Sequence, residues 1–267
     1  MHGWRPTPAL LASVALHVGA LLALLLRFDL WAWALGGVLL NHLVLGAIGL
    51  WPRSTALGPN LVRLPDAAAR RGEVAITIDD GPDPEVTPQV LAILASRGAR
   101  ATFFCIGERA AAQPEVCRAI VAAGHAIENH GQWHRNHTAA LGPRGWRREV
   151  GTAQATLAAI TGQKPVFFRA LAGLRNPFLD PVLHQLGLRL ATWTRRGYDT
   201  REGDAARVLA RLTHRLAAGD ILLLHDGHSA RTASGRPVIL EVLPRLLDEL
   251  AVRRLTPVTL RSVCDPS

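Results

Sequence analysis

Between Pro8 and Leu26 no position carries a formal charge, and the same holds from Leu30 to Trp51. Each run is long enough to cross a bilayer, which takes about 20 apolar residues in a helix. Only Arg27, Phe28 and Asp29 separate them, the length of a tight turn between antiparallel helices. A cleaved secretory signal would need a small-residue site before Arg27 and no second apolar run behind it, so the pattern predicts a retained transmembrane hairpin over residues 1–51. Trp31, Trp33 and Trp51 fall at the expected interfaces, and Asn41 with His42 falls near mid-membrane, where hydrogen bonding to the partner helix is the expected role.

Residues 52–72, with Pro52, Gly58, Pro59 and Pro65, read as a linker, and from 73 to 267 the pattern changes. Runs with strand character (74–78, 101–106, 125–128, 166–168, 189–193, 221–224 and 257–260) alternate with helical patterns (85–97, 114–123, 146–160, 178–186, 205–217 and 240–251). This alternation predicts an α/β domain with a parallel sheet and helices outside, either doubly wound or a barrel. In both, ligands sit beyond the carboxyl ends of the strands.

Composition changes this picture little. A hydrophobic share of 49% excludes a disordered chain, and the net charge of +9 comes almost wholly from arginines scattered among acids, with Lys164 the single lysine. No nucleic-acid partner is expected from that distribution. Cys105, Cys117 and Cys264 show no CxxC spacing, which predicts small core residues rather than a zinc ribbon or a disulfide framework.

The strand-end rule gathers the chemistry. Asp79 and Asp80 follow the first predicted strand, His130 and His134 the third, Arg169 the fourth, Asp199 the fifth, and His225 with Asp226 ends the sixth. The i, i+4 spacing of His130 and His134 predicts two imidazoles on one side of a helical turn, with Asp80 as the carboxylate of a hydrolytic metal site and His137 as an alternative ligand. Successive side chains of an extended chain point apart, so one of the adjacent carboxylates can bind metal while the other accepts a proton.

These residues resemble the polysaccharide deacetylase family, also called the NodB homology or carbohydrate esterase family 4 domain. Thr77-Ile78-Asp79-Asp80-Gly81-Pro82 looks like its first motif, and Gly124-His125 through Asn129-His130 to His134 like its second. Phe168-Arg169 with Gly173, Trp193 to Asp199, and Leu222 to Asp226 resemble the remaining three, in family order over about residues 73 to 263. The resemblance implies a distorted (β/α) barrel, here preceded by two transmembrane helices, that uses a divalent metal, commonly zinc, to hydrolyse acetyl groups from acetylated sugars. It also implies that Asp80, His130 and His134 bind the metal, that Asp79 is the base paired with Arg169, and that His225 is the acid paired with Asp199. Three departures stand out: Ala170, Leu171 and Ala172 replace Pro-Pro-Tyr after Arg169, Gly131 replaces Ser or Thr, and Thr200 replaces Trp.

The lost aromatic platforms and the hairpin keep two substrates in view, an N-acetylated polysaccharide or glycan and a membrane lipid-linked sugar precursor bearing an acetyl or formyl group. A non-catalytic, membrane-anchored carbohydrate-binding domain is the reading from another class. A hairpin returns the chain to the side where it began, and Arg5, Arg53, Arg63, Arg70 and Arg71 favour the cytoplasmic face of a bacterial-type inner membrane for the domain. The sequence carries no signal of oligomeric state.

Overall fold

The computed structural model describes residues 3–264, so the ends of the ranges above, 1–2 and 265–267, lie outside the described residues. Two long helices come first, α1 (Pro8–Leu26) and α2 (Trp31–Leu50), joined through a 3-10 turn at Phe28–Leu30. Thr7 accepts the Leu10 amide at the start of α1 and Pro8 takes its first position, two features that favour a helix start there. Both helices are long and apolar enough to cross a membrane, and the rest of the chain leaves them bare, with Leu26 80% and Trp33 82% exposed. Asn41 Nδ2 donates to Ser13 Oγ at 2.9 Å across the pair, whereas His42 Nδ1 turns to the Val38 carbonyl of its own helix.

The domain follows in the order α3 (Asp66–Arg70), β1 (Glu73–Asp79), α4 (Val86–Ser96), β2 (Thr102–Cys105), α5 (Gly107–Ala112), α6 (Pro114–Ala122), β3 (Ala126–Asn129), α7 (Pro143–Thr161) and β4 (Phe167–Phe168). It continues with α8 (Leu179–Leu186), β5 (Arg189–Leu190), β6 (Arg195–Arg196), α9 (Ala205–Thr213), β7 (Ile221–His225), α10 (Ile239–Val252), β8 (Thr256–Val258) and α11 (Leu260–Cys264). The strands form one parallel sheet in the order β5-β4-β3-β2-β1-β7-β6, with β8 pairing the start of β1. Among the described residues β5 and β6 do not pair, so the sheet is a curled half-barrel rather than a closed cylinder. The strand missing from the sequence reading is β6, because two arginines in a row carry no apolar signal.

Strand alternation decides which side chains reach the inside of the curl. Along β1, Val74, Ile76 and Ile78 join the outer core with Leu94 of α4, Val208 of α9 and Leu246 of α10. Ala75 joins the inner cluster with Phe104, Phe167, Trp193 and Leu223, and Thr77 and Asp79 share its parity. The same parity brings Ile221, Leu223 and His225 of β7 inward, so the inner face is apolar at its base and polar at its carboxyl end. Cys105, Cys117 and Cys264 are buried, as expected of core residues.

The segment 52–72, read as a linker, runs against the sheet. Leu57 and Leu64 are buried, Leu61 N–H donates to the Leu190 carbonyl and the Leu61 carbonyl accepts from Thr192 N–H, both at 2.9 Å, and Leu64 N–H donates to the Gly219 carbonyl. The hairpin base is fastened in the same way: Trp4 Nε1 donates to Asp180, Thr7 Oγ1 to the Ala56 carbonyl, and Arg175 N–H to the Gly49 carbonyl at 3.1 Å. A Cβ on Gly49 would lie 2.1 Å from the Arg175 carbonyl oxygen. Gly49→Val is therefore expected to release the hairpin base from the domain, seen as faster trypsin cleavage at Arg53 in the detergent-solubilised chain with an unchanged circular dichroism spectrum. Unaltered cleavage would show that this contact does not hold the two parts together.

Candidate active site

Every residue gathered by the strand-end rule lies at the carboxyl end of the sheet. Asp79 ends β1, His225 ends β7, His130 and Arg169 each come one residue after β3 and β4, and Asp199 lies in the turn after β6. Asp79, Asp80, His130, His134 and His225 line a single cleft of about 320 Å³. A larger hollow of about 710 Å³ lies between the segment before α1 and the α8–β5 edge, but it contains none of these groups and is a seam between hairpin and domain.

Asp80 Oδ1 faces His134 Nε2 at 3.0 Å and His130 Nε2 at 3.2 Å. His130 Nδ1 lies 2.8 Å from the Arg169 carbonyl, which can only accept, so Nδ1 carries a hydrogen and Nε2 is the ring nitrogen turned towards Asp80. Two imidazole nitrogens and a carboxylate oxygen thus converge, with ligand atoms all within 4.8 Å of one another. Burial alone would raise the Asp80 carboxyl, but hydrogen bonds from His130, His134 and His228 more than reverse this and hold it below the ordinary carboxylate range. Burial likewise opposes charge on His130, yet Asp79 and Asp80 raise it, while burial lowers His134. The corner therefore draws in positive charge, and its donor set suits a divalent cation that takes nitrogen and oxygen ligands.

Arg169 is fully buried and every one of its bonds is made inside the curl. Nη1 donates to Asp79 Oδ1 at 2.6 Å and Thr77 Oγ1 at 2.7 Å, while Nη2 and Nε donate to the Thr192 and Ala191 carbonyls. Asp79 Oδ2 is left towards the cleft, 3.9 Å from His130 Nε2. On the other side, His225 Nδ1–H donates to Asp199 Oδ1 at 2.8 Å and its amide to Oδ2 at 2.7 Å, which leaves Nε2 for the cleft. Burial disfavours charge on His225, but Asp199, with smaller help from Asp79 and Asp80, raises it to about 9.

His130 and His134 do not share a helical turn. His130 continues β3, and residues 131–134 form an irregular loop in which Gly131 (φ 83°) and His134 (φ 52°) are left-handed. Glu149 of α7 organises that loop, accepting the Trp133 and His134 amides at 3.0 and 3.2 Å. His137 is exposed and outside the converging group. The sequence reading also passed over His228, whose Nε2 accepts from Arg109 and whose Nδ1–H donates to Asp80 Oδ2 at 3.0 Å. A second histidine three residues after His225, set off by a glycine, was the available signal. Asp226 is buried under Gly81, bonded to Thr87 and pushed up to about 7 by burial, and it faces away from the cleft chemistry.

The model of the polysaccharide deacetylase family matches residues 66–191. A chitooligosaccharide deacetylase of Azorhizobium caulinodans is 36% identical over 161 residues, 59% of this chain and 75% of the relative. The chain belongs to the polysaccharide deacetylase family. A peptidoglycan-N-acetylglucosamine deacetylase of Bacillus cereus is 31% identical over 183 residues, 65% of this chain and 81% of the relative. A solved peptidoglycan N-acetylglucosamine deacetylase, in complex with 4-naphthalen-1-yl-N-oxidanyl-benzamide, superposes with a TM-score of 0.70 at 25% identity, covering 78% of this chain and 94% of its own. Membership makes the chain a hydrolase of carbon–nitrogen bonds other than peptide bonds.

Where this polysaccharide deacetylase has Gly131, the family pattern carries a hydroxyl residue. A Cβ there would lie 2.7 Å from Glu149 Oε1, on a backbone that only glycine adopts without cost. Gly131→Ser is expected to destabilise the domain by about 1–2 kcal/mol, read as a lower thermal midpoint. An unchanged midpoint would mean that the loop accepts the serine by shifting Glu149.

Proposed function

We propose that the chain is a metal-dependent deacetylase that removes acetyl groups from the N-acetylated sugars of a glycan, held at a membrane by its hairpin. The observation that carries this reading is the convergence of Asp80, His130 and His134 beside two separately buttressed groups, Asp79 on Arg169 and His225 on Asp199. Relatives named for chitooligosaccharide and peptidoglycan N-acetylglucosamine deacetylation support the substrate class. The complete set weighs against a binding domain without catalysis.

Asp80, His130 and His134 would hold the cation, assigned as zinc from the two-imidazole, one-carboxylate donor set. When bound there, a divalent cation polarises the acetamide carbonyl and acidifies a water. Asp79 Oδ2 accepts the proton of the attacking water, and Arg169 keeps that carboxylate from swinging away by holding Oδ1. His225 Nε2–H protonates the departing amine, a poor leaving group without a proton. Asp199 fixes the ring and favours its charged form. Among the described residues only the Asp199 carboxylate touches His225, so its influence persists when the others are neutralised.

Acetate release measured against pH tests these roles. Asp79→Asn is expected to abolish release at every pH while the protein keeps its metal, because an amide fills the same space without accepting a proton. The native activity should fall as pH rises through the raised His225 value. Asp199→Asn should move that alkaline limb to lower pH, since losing the carboxylate lets burial depress the imidazole. An Asp79→Asn protein with native rates, or an alkaline limb that does not move, would overturn the assignments.

The flanking arginines support a domain on the cytoplasmic face. A green fluorescent protein fused after the chain should fluoresce in cells and an alkaline phosphatase fusion should stay inactive. The reverse pattern would place the domain outside.

A further inference from the structure

Two guanidinium groups of the cleft have no carboxylate. Arg196 and Arg201 both line it, and among the described residues neither makes an ion pair or a hydrogen bond through its side chain. Arg196 lies over the rings of Trp193 (5.3 Å) and Tyr198 (5.0 Å), and its Nε is buried without a partner. The neighbouring acids are already in use. Asp220 bonds Arg63 and Arg195, Glu202 pairs with Arg207 and Arg211, and Asp204 caps α9. A buried N–H left unpaired costs free energy, and a neutral N-acetylated sugar offers no charge to answer two guanidinium groups.

We propose that Arg196 and Arg201 form an anion subsite and that the substrate is an N-acetylated sugar bearing a phosphoryl group. The inference rests on the deacetylase reading and narrows its substrate. Guanidinium forks match phosphoryl oxygens in a way they do not match hydroxyls. The cleft, at about 320 Å³, is at the small end of the roughly 300–1,000 Å³ typical of small-ligand sites, which suits one substituted sugar more than a run of rings. Its lining includes Leu171 and Ala172, where the family carries a bulkier turn, and the next residue, Gly173, rests on Pro52 at the hairpin base, 2.5 Å from where a Cβ would stand. A sugar phosphate hung from a membrane lipid meets these requirements together: sugar at Asp79 and His225, phosphoryl group at the arginines, and lipid beside the hairpin.

The test uses the full chain in detergent with three probes: methyl N-acetylglucosaminide, N-acetylglucosamine 1-phosphate and a polyprenyl diphosphate-linked N-acetylglucosamine. Deacetylation of the phosphate is expected to exceed that of the methyl glycoside by about tenfold or more in kcat/KM, and the gap should narrow at high salt. In Arg196→Gln/Arg201→Gln the ratio of the two rates should fall by about the same factor, and Arg196→Lys/Arg201→Lys should restore part of it. A further gain for the polyprenyl probe identifies a lipid-linked source, and equal rates identify a soluble sugar phosphate. Equal kcat/KM for the phosphate and the methyl glycoside in the native chain would overturn the subsite without any variant. If no probe releases acetate, the deacetylase reading fails. Calorimetric binding of N-acetylglucosamine 1-phosphate to native and double-Gln proteins then still reads the arginines, with equal affinities overturning the proposal.

Discussion

A single buried charge, the Arg169 guanidinium, governs how the inside of this half-barrel is arranged. Withdrawing an ion from water costs several kcal/mol unless its hydrogen bonds are replaced, and here one shell supplies four of them, one from a carboxylate. Thr77 and Asp79 come from β1, and the Ala191 and Thr192 carbonyls from the chain leaving β5. Its own carbonyl, in turn, fixes the His130 tautomer. The same residue thus closes the floor of the curl, aims one oxygen of Asp79 into the cleft and leaves His130 Nε2 free to ligate. Phe104, whose ring lies 4.0 Å from the guanidinium carbon, completes the enclosure.

Around that anchor the backbone is bent into conformations that ordinary residues avoid. Asp80, His134 and Ala172 all have left-handed φ values, between 51° and 72°, and all line the cleft. Such turns cost of the order of 1–3 kcal/mol each and persist only where the surroundings over-determine them. Glu149 does this for the His134 loop, and Arg109 does it for Asp80 by donating to its carbonyl and to that of Gly227. Side chains from strand ends alone point alternately in and out. The strained turns let two adjacent aspartates serve one cleft, and let a loop histidine meet one that follows a strand.

The hairpin is part of the same construction. Asn60 donates to the Pro52 and Ser54 carbonyls and accepts from Thr192, the residue whose carbonyl receives Arg169. A short chain of hydrogen bonds therefore runs from the hairpin base to the buried guanidinium. The electrostatics divide accordingly: the carboxylates paired with Arg169 or with histidine are buried, whereas two arginines that line the cleft, half-buried Arg196 and exposed Arg201, have no ion pair among the described residues. In the proposed reading, this polarity would guide an anionic group to the arginines and the acetamide to Asp79 and His225.

The sequence by itself determined the hairpin, the alternation of strands and helices, and the strand-end positions of Asp79, Asp80, His130, His134, Arg169, Asp199 and His225. These follow from local rules: uncharged runs of bilayer length, periods of 2 and 3.6, and the place of ligands in parallel sheets. What it misassigned was equally local. Arg195–Arg196 is a strand because β7 offers it a hydrogen-bonding edge, and residues 130–134 are a loop because Glu149, fifteen residues beyond His134, supplies the acceptors. His228, the packing of residues 52–72 against the sheet, and the lack of an ion pair for Arg196 and Arg201 among the described residues depend on distances between segments far apart in the chain. No local pattern encodes them, because they are decided by which partners remain available once the sheet has curled.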